Sequence, residues 1–388
     1  MRWLTFWLFL MAAVLPAAKG EDMISANLPA GNIIVKKIDG KNITLDNDDR
    51  DSGQEWFYWK FKAVFPEKGV YRFRFARANK VGPRGACVST DKGQSWRWQT
   101  DKQHADAGGF TYNCETPGEV WFCQAWPYLP GDWEKFTAEH AGKSYLTLKT
   151  LCQSKKGRGV PLAVIKEGAP EFTLLLTARH HAQESMASNV LEGILRSVLA
   201  DDDFGREFRR KIAVYVVPFV DRDGVEDGDQ GKARKPHDHN RDYTDFLYPE
   251  IRALAELVKE VRPAVHFDLH CPWLRGGCNE YMYLVGSENK QFAAQMDVFA
   301  GLLEKHAPAC APYRKADNIL FGTLWNTSKN YTAGMSSVRY FATLPFFKYS
   351  QSVEIPFANL REKTFDRPGA LEFGKNMAKA ILEYHKGN

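Results

Sequence analysis

The sequence has little excess charge of either sign and, after its first residues, no long apolar run. Its 388 residues include 52 lysines and arginines against 47 aspartates and glutamates, a formal net charge of +5, with no polybasic stretch. Nucleic-acid binding would call for a clustered basic face. A membrane span needs about 20 consecutive apolar residues. We therefore expect no nucleic-acid partner and no membrane-spanning segment beyond the N-terminus.

Several catalytic motifs are also absent. The chain has no Gly-x-Ser-x-Gly elbow, no glycine-rich nucleotide loop and no His-Glu-x-x-His, which leaves serine hydrolase and kinase functions without a basis in the sequence. It has no internal repeat or low-complexity segment, and 44% hydrophobic with 26% charged residues is typical of a folded globular protein. At about 150 residues per domain, the length predicts two domains.

The first 20 residues have the features of an export signal. Arg2 begins a short positive region, residues 3–15 are apolar, and small residues follow. The apolar stretch is too short to span a bilayer. We predict a signal peptide over residues 1–20 and hence a periplasmic or secreted protein, with an uncleaved anchor as the alternative. An exported chain can oxidise its seven cysteines, and Cys271 and Cys278 are either bridged or free buried thiols.

Residues 21–150 predict an all-β domain. The segments 56–62 and 70–75 alternate between aromatic or apolar and polar residues, and each is bounded by turn-forming residues. Because no long amphipathic helix interrupts them, we predict an antiparallel β-sandwich.

Residues 151–388 alternate between strand and helix patterns. They predict an α/β domain with a mixed, mostly parallel sheet flanked by helices, whose ligand site lies beyond the carboxyl ends of the strands. The predicted strands are 172–178, 212–219, 264–269, 281–285 and 347–353, and the predicted helices are 185–199, 245–261, 288–306 and 368–385.

Four residues at predicted strand ends have the chemistry of a hydrolytic zinc site. His181 and Glu184 form a His-x-x-Glu pair after one strand, and His270 ends another. Two histidines and one glutamate leave an open coordination position for water. Glu354 ends a third strand and is the candidate general base. Taken singly, His270 as a core histidine and Glu354 as an ion-paired carboxylate are the alternatives.

A polar, glycine-rich loop carries further candidates. Asn240 and Arg241 offer donors that fit a substrate carboxylate, and Asp238 is suited to orienting a ligand imidazole. His237 and His239 are weaker metal candidates, because close neighbours in an extended loop point apart. The alternative for the whole loop is a solvated charge cluster.

These motifs together resemble the zinc carboxypeptidases, and among them the cytosolic carboxypeptidase-like group. The likeness spans nearly all of the chain after residue 20, and its N-terminal half is similar to that group's β-sandwich. The segments that carry it are 89–96, 126–128, 179–185, 218–225, 238–241, 268–270 and 353–354.

The resemblance implies a metallocarboxypeptidase that uses one Zn²⁺ ion to hydrolyse the C-terminal peptide bond of a peptide or protein. A zinc-dependent deacylase or amidase acting on N-acyl amino acids or cell-wall peptides, and an inactive peptide-binding relative, are the alternatives. The resemblance implies that His181, Glu184 and His270 are the zinc ligands and that Glu354 is the general base. It also implies that Asn240, Arg241 and Tyr331 bind the substrate. Asp238 would orient the imidazole of His181.

The chain departs from the family pattern in three ways. Asp221 and Arg222 replace the Asn-Pro of the group's motif. The position of the arginine that stabilises the oxyanion falls on Gly231, with Lys232 and Arg234 nearby; of these we favour Arg234. The pocket for the terminal side chain is not assigned, although Val338 or Arg339 is expected near its base. An acidic or an apolar specificity therefore stays open.

Overall fold

The computed structural model describes residues 23–387, so the predicted signal peptide lies outside the described residues. Across this range, no helix is both long and apolar enough to cross a membrane. The chain forms a strand-rich N-terminal part followed by a larger α/β part, as the sequence predicts.

The N-terminal part is a sandwich of two sheets. Alternate residues of the strand that begins at Gly69 are buried, and aromatic rings of both sheets meet in the space between them, with Phe73 of one sheet and Phe122 of the other at 5.4 Å between ring centroids. The strands are β1 (Ile24–Ser25), β2 (Ile34–Asp39), β3 (Asn42–Asp46), β4 (Lys60–Phe65), β5 (Gly69–Phe75), β6 (Cys87–Ser89), β7 (Arg97–Trp98), β8 (Gly109–Cys114) and β9 (Gly118–Cys123).

The two sheets have the orders β1-β4-β9-β6-β7 and β2-β3-β5-β8. All pairs in them are antiparallel except β3 with β5, which run parallel. The predicted antiparallel sandwich is therefore present with one parallel pair.

The α/β part is built on a seven-stranded sheet of order β10-β11-β13-β12-β14-β16-β15. Its centre is parallel, because β12 pairs with β13 and β14, and β14 with β16, while the outer pairs are antiparallel. The strands are β10 (Leu146–Gln153), β11 (Gly159–Ile165), β12 (Phe172–Ala178), β13 (Ile212–Val217), β14 (Val265–His270), β15 (Tyr283–Leu284) and β16 (Tyr349–Glu354), with a separate pair β17 (Asn359–Leu360) and β18 (Lys363–Thr364).

Helices flank this sheet. The helix that starts at Ser185 is buried on nearly all sides, and at Gly193 an added Cβ would lie 2.2 Å from the carbonyl oxygen of Leu371, so glycine permits its close packing on the C-terminal helix. The helices are α1 (Pro130–Ala138), α2 (Ser185–Val198), α3 (Asp203–Lys211), α4 (Arg222–Asp227), α5 (Pro249–Val261), α6 (Lys290–His306), α7 (Ser337–Phe341) and α8 (Arg367–Gly387), with short 3₁₀ turns at His239–Arg241, Gly277–Glu280, Lys315–Asp317 and Ser328–Tyr331.

Candidate metal and active site

The candidate ligands lie at the carboxyl edge of the parallel strands. His181 and Glu184 are in the turn between β12 and α2, and His270 and Glu354 are the last residues of β14 and β16. The register pairs His270 directly with Glu354. Parallel strands end at the same edge of a sheet, so three chain segments deliver these side chains to one place.

One carboxylate lies between two imidazoles. The Oε1 atom of Glu184 is 2.8 Å from Nδ1 of His181, and its Oε2 atom is 2.8 Å from Nδ1 of His270. All three side chains are buried, and their potential ligand atoms lie within 4.8 Å of one another. Two nitrogens and one carboxylate in a closed cluster are a donor set that fits Zn²⁺.

The outer nitrogen of each imidazole faces a second carboxylate. His181 Nε2 is 3.5 Å from Asp238 Oδ1, within ion-pair distance, and neither atom has a hydrogen-bond partner among residues 23–387. His270 Nε2 is 2.9 Å from Asp268 Oδ2. A carboxylate behind each imidazole fixes its tautomer and leaves Nδ1 free to bind a metal. Although burial opposes ionisation, His181 holds the pKa of Asp238 well below its ordinary value.

Asp268 is a site residue to which sequence reasoning assigned no role. Besides facing His270, its carboxylate accepts hydrogen bonds from Thr177 Oγ1 at 2.7 Å and Ser337 Oγ at 2.6 Å, and lies 2.8 Å from His180 Nδ1. The signal was in the Asp-Leu-His triplet, because residues two apart on a strand share a face.

His180, Asp268 and His270 form a second group with metal-ligand spacing in the described chain. The second ring nitrogen of His180 is engaged, however, at 2.8 Å from the hydroxyl of Tyr243. Since Asp268 already has four partners, this group acts as a hydrogen-bonded support for His270. Of the two groups, His181, Glu184 and His270 are therefore the better candidates for the metal ligands.

Glu354 combines burial with the lack of a partner. Its Oε2 atom is enclosed and makes no hydrogen bond to the described residues. Burial is the main reason that the pKa of Glu354 rises to about 7; His270 opposes this rise, and Glu184 adds to it. A carboxylate with a raised pKa beside a metal position has the properties of a general base.

Asn240 and Arg241 border the same edge. Asn240 Nδ2 lies 3.2 Å from His270 Nε2. The guanidinium of Arg241 donates to the backbone carbonyls of Asn240 at 2.7 Å and Asn330 at 3.0 Å. No carboxylate of residues 23–387 lies within ion-pair distance of Arg241, so its charge is available to a bound anion.

Tyr331 is next to this arginine. Its ring centroid is 5.1 Å from the guanidinium carbon of Arg241 and 4.1 Å from that of Arg339. Its hydroxyl donates to Asn326 Oδ1 at 3.0 Å. Arg339 also pairs with Glu288, so part of its charge is already matched.

Arg234 does not offer a free charge to the site. Its guanidinium contacts three carboxylates at 2.6–3.1 Å, those of Asp51, Asp221 and Asp229. Lys232, by contrast, brings Nζ to 3.4 Å from His181 Nδ1. The assignment of Arg234 as the oxyanion-stabilising residue stays a prediction, but the structure disfavours it, because three aspartates match the charge of its guanidinium.

The two cysteines considered for a bridge are not joined. Cys271 and Cys278 are both free thiols, as are the other five cysteines of the chain. Burial raises the pKa of the Cys271 thiol well above its ordinary value. A disulfide is therefore not what holds His270; the contact with Asp268 is.

Comparison with known proteins gives one family. Residues 134–387 match the family model for zinc carboxypeptidases. Cytosolic carboxypeptidase 6 of Caenorhabditis elegans is 24% identical over 282 residues, 65% of this chain and 61% of that protein. Cytosolic carboxypeptidase 2 of Xenopus tropicalis is 25% identical over 295 residues, 66% of this chain and 30% of that protein. The match thus spans less than two thirds of the length of these relatives.

Solved structures extend the likeness to the N-terminal sandwich. A metallo-carboxypeptidase from Burkholderia cenocepacia superposes with a TM-score of 0.77 and 18% identity, over 94% of this chain and 98% of that one. A metallo-carboxypeptidase from Pseudomonas aeruginosa, in complex with (2-guanidinoethylmercapto)succinic acid, gives 0.76 and 18% over 93% and 99%. At such identities the likeness shows the fold.

Proposed function

The chain belongs to the zinc carboxypeptidase family, and from this premise we propose that it is a zinc-dependent hydrolase that removes the C-terminal residue of peptides or proteins. The observation that carries the proposal is the Glu184 carboxylate between the Nδ1 atoms of His181 and His270, with the unpaired carboxylate of Glu354 on the adjoining strand. We also propose that the enzyme is exported, from the pattern of residues 1–20.

His181, Glu184 and His270 would hold the metal. When bound there, zinc polarises the scissile carbonyl and lowers the pKa of water. Glu354 accepts a proton from the attacking water and later delivers it to the leaving amine. Its raised pKa suits both steps, since a base that is too weakly basic would not take the proton and one that is too strongly basic would not release it.

Asn240 and Arg241 would hold the free carboxylate of the substrate. A guanidinium without a carboxylate partner, next to an amide, provides several donors for one anion. This contact makes the enzyme an exopeptidase, because only the last residue of a chain carries a carboxylate there. Tyr331, in contact with Arg241, would cover the bound terminus.

The proposal is tested with peptides that differ only in the last residue. Metal-analysed protein is incubated with the panel, and products are identified by mass. We expect loss of one C-terminal residue, its abolition by a chelator and its return with added zinc. Internal cleavage, or release that does not depend on metal, would contradict the proposal. The preferred last residue would define the specificity.

A further inference from the structure

We infer that Lys232 supplies the positive charge that stabilises the oxyanion formed during hydrolysis, and that the N-terminal sandwich holds it in position. The inference rests on the proposed function. It concerns the step for which the expected arginine is missing, since Gly231 stands at that position.

Position 231 cannot carry any side chain in this fold. Gly231 has a φ of +72°, and an added Cβ would lie 2.0 Å from the backbone nitrogen of Ala182. The positive φ disfavours any residue with a side chain, and the clash of the added Cβ with Ala182 excludes one. The loop backbone is therefore pressed against the turn that follows His181, which leaves the next side chain, that of Lys232, beside the metal position.

Lys232 has the location and the free charge that the role requires. Its Nζ atom lies 3.4 Å from Nδ1 of His181, and no carboxylate among residues 23–387 lies within ion-pair distance of it. The indole ring of Trp56 lies 5.8 Å from Nζ. Holding an ammonium group in a partly enclosed place without an anion costs free energy, and a developing negative charge on the substrate would offset that cost.

The other cations of this loop are unsuitable. Arg234 is matched by three aspartates, as described above. Lys235 is exposed to solvent. Arg241 donates to two backbone carbonyls and is the candidate for the terminal carboxylate. Lys232 alone among these four combines an unpaired charge with contact to a candidate metal ligand.

The sandwich domain fixes the backbone on both sides of Lys232. Before it, the Asp51 carboxylate accepts hydrogen bonds from the backbone N–H groups of Gln230 at 2.9 Å and Gly231 at 2.8 Å. After it, the N–H of Gly53 donates to the carbonyl of Ala233 at 2.8 Å. An electrostatic catalyst works best when it needs no reorganisation as charge develops, and these bonds provide that rigidity.

The reaction balances without another reactant. Water adds to the carbonyl carbon, its proton passes to Glu354, and the carbonyl π pair moves to oxygen, where Lys232 stabilises the negative charge. The C–N bond then breaks, the oxygen pair restores the carbonyl, and the amine receives the proton from Glu354. Lys232 keeps its proton throughout, and one water is consumed per released amino acid.

The test compares Lys232→Met, which removes the charge at similar length, with Lys232→Arg, which keeps it. Lys235→Met is the matched control, an exposed lysine of the same loop. For each protein, kcat, KM and zinc content are measured. Calorimetry gives the affinity for a phosphinic peptide, whose tetrahedral anion resembles the oxyanion, and for the free product amino acid.

We expect Lys232→Met to lower kcat by roughly 10²- to 10³-fold and to weaken the phosphinic peptide by a similar factor, with KM, zinc content and product affinity unchanged. Lys232→Arg should recover most of the loss, and Lys235→Met should match the unmodified protein. If Lys232→Met does not fold, Lys232→Gln takes its place with the same expectations.

The inference is overturned if the unmodified protein releases C-terminal residues and Lys232→Met retains kcat and phosphinic affinity within about threefold. It is equally overturned if the variant loses zinc, since Lys232 would then support the ligands and not the oxyanion. Failure of the unmodified protein to process any peptide would instead refute the proposed function, so the two failures are distinguishable.

Discussion

The carboxylate of Asp51, in the N-terminal sandwich, accepts a 2.8 Å hydrogen bond from the backbone N–H of Gly231, in the α/β part. These residues are 180 positions apart. The bond ties the sandwich to the loop that carries Lys232 and approaches His181. We therefore expect the N-terminal domain to position this lysine.

Replacing Asp51 with alanine should therefore reduce turnover without removing the metal. The change leaves the N–H groups of Gln230 and Gly231 unpaired, at a cost of about 1–3 kcal/mol in the free energy of unfolding, and frees the loop. We expect a lower kcat and unchanged zinc content, measured well below the unfolding temperature. Asp39→Ala, at an exposed aspartate of the same domain, is the control. Loss of stability at unchanged kcat would contradict the positioning role.

Asp268 should control zinc affinity through His270. In Asp268→Asn one oxygen becomes an NH₂ group, which cannot accept the hydrogen bonds of its neighbours. We expect zinc binding to weaken roughly 10- to 100-fold, as measured by competition with a chromogenic chelator. Asp297→Asn, at an exposed residue of α6, is the control. Equal zinc affinity in both variants would show that His270 is held by other contacts.

Arg241 should make activity depend on a free terminal carboxylate. The test uses one peptide as the free acid and as the C-terminal amide. The unmodified protein should cleave only the acid, because the amide cannot form the ion pair, and Arg241→Met should lower kcat/KM for the acid by at least ~10²-fold. Arg72→Met, at an exposed arginine of β5, should change nothing. Similar cleavage of acid and amide would rule out the clamp.

The pH profile should have an acid limb set by Glu354. This group must be ionised to take a proton, so kcat/KM falls as the pH decreases through its pKa. Burial raises this pKa, whereas a bound cation lowers it, so we expect the limb between roughly pH 5 and pH 7. The profile is measured from pH 4 to 9. A rate that stays constant down to the ordinary pKa of glutamate, about 4.3, would refute the assignment.

The sequence predicts the site well where strand ends and short motifs determine it. Strand patterns put His270 and Glu354 at ends of parallel strands, and parallel strands end together. The mixed sheet flanked by helices and the family are confirmed. The residue roles and the domain boundary at residue 150 stay predictions. Strand β10, which belongs to the seven-stranded sheet of the α/β part, begins at Leu146.

The sequence does not predict features that depend on distant partners. In the sequence, Arg234 is a cation in the polar loop and therefore a candidate for the site. In the structure, Asp51 of the N-terminal part is one of the carboxylates that pair with its guanidinium. Asp268, which faces His270, accepts a hydrogen bond from Ser337, and these two residues are 69 positions apart in the sequence. Three other features are not predicted, because they depend on packing or capping and not on the local pattern of apolar residues. They are helix α1, the parallel pairing of β3 with β5, and the start of α5 at Pro249 instead of residue 245.

The most direct test of the account is a comparison of the unmodified protein with Glu354→Gln, each shown by metal analysis to hold one zinc ion per chain. On a peptide with a free carboxylate, we expect the unmodified protein to release a single C-terminal residue. The glutamine variant, which cannot accept the proton of water, should be slower by at least ~10²-fold at equal zinc content. Near-normal turnover by the variant would contradict the central claim.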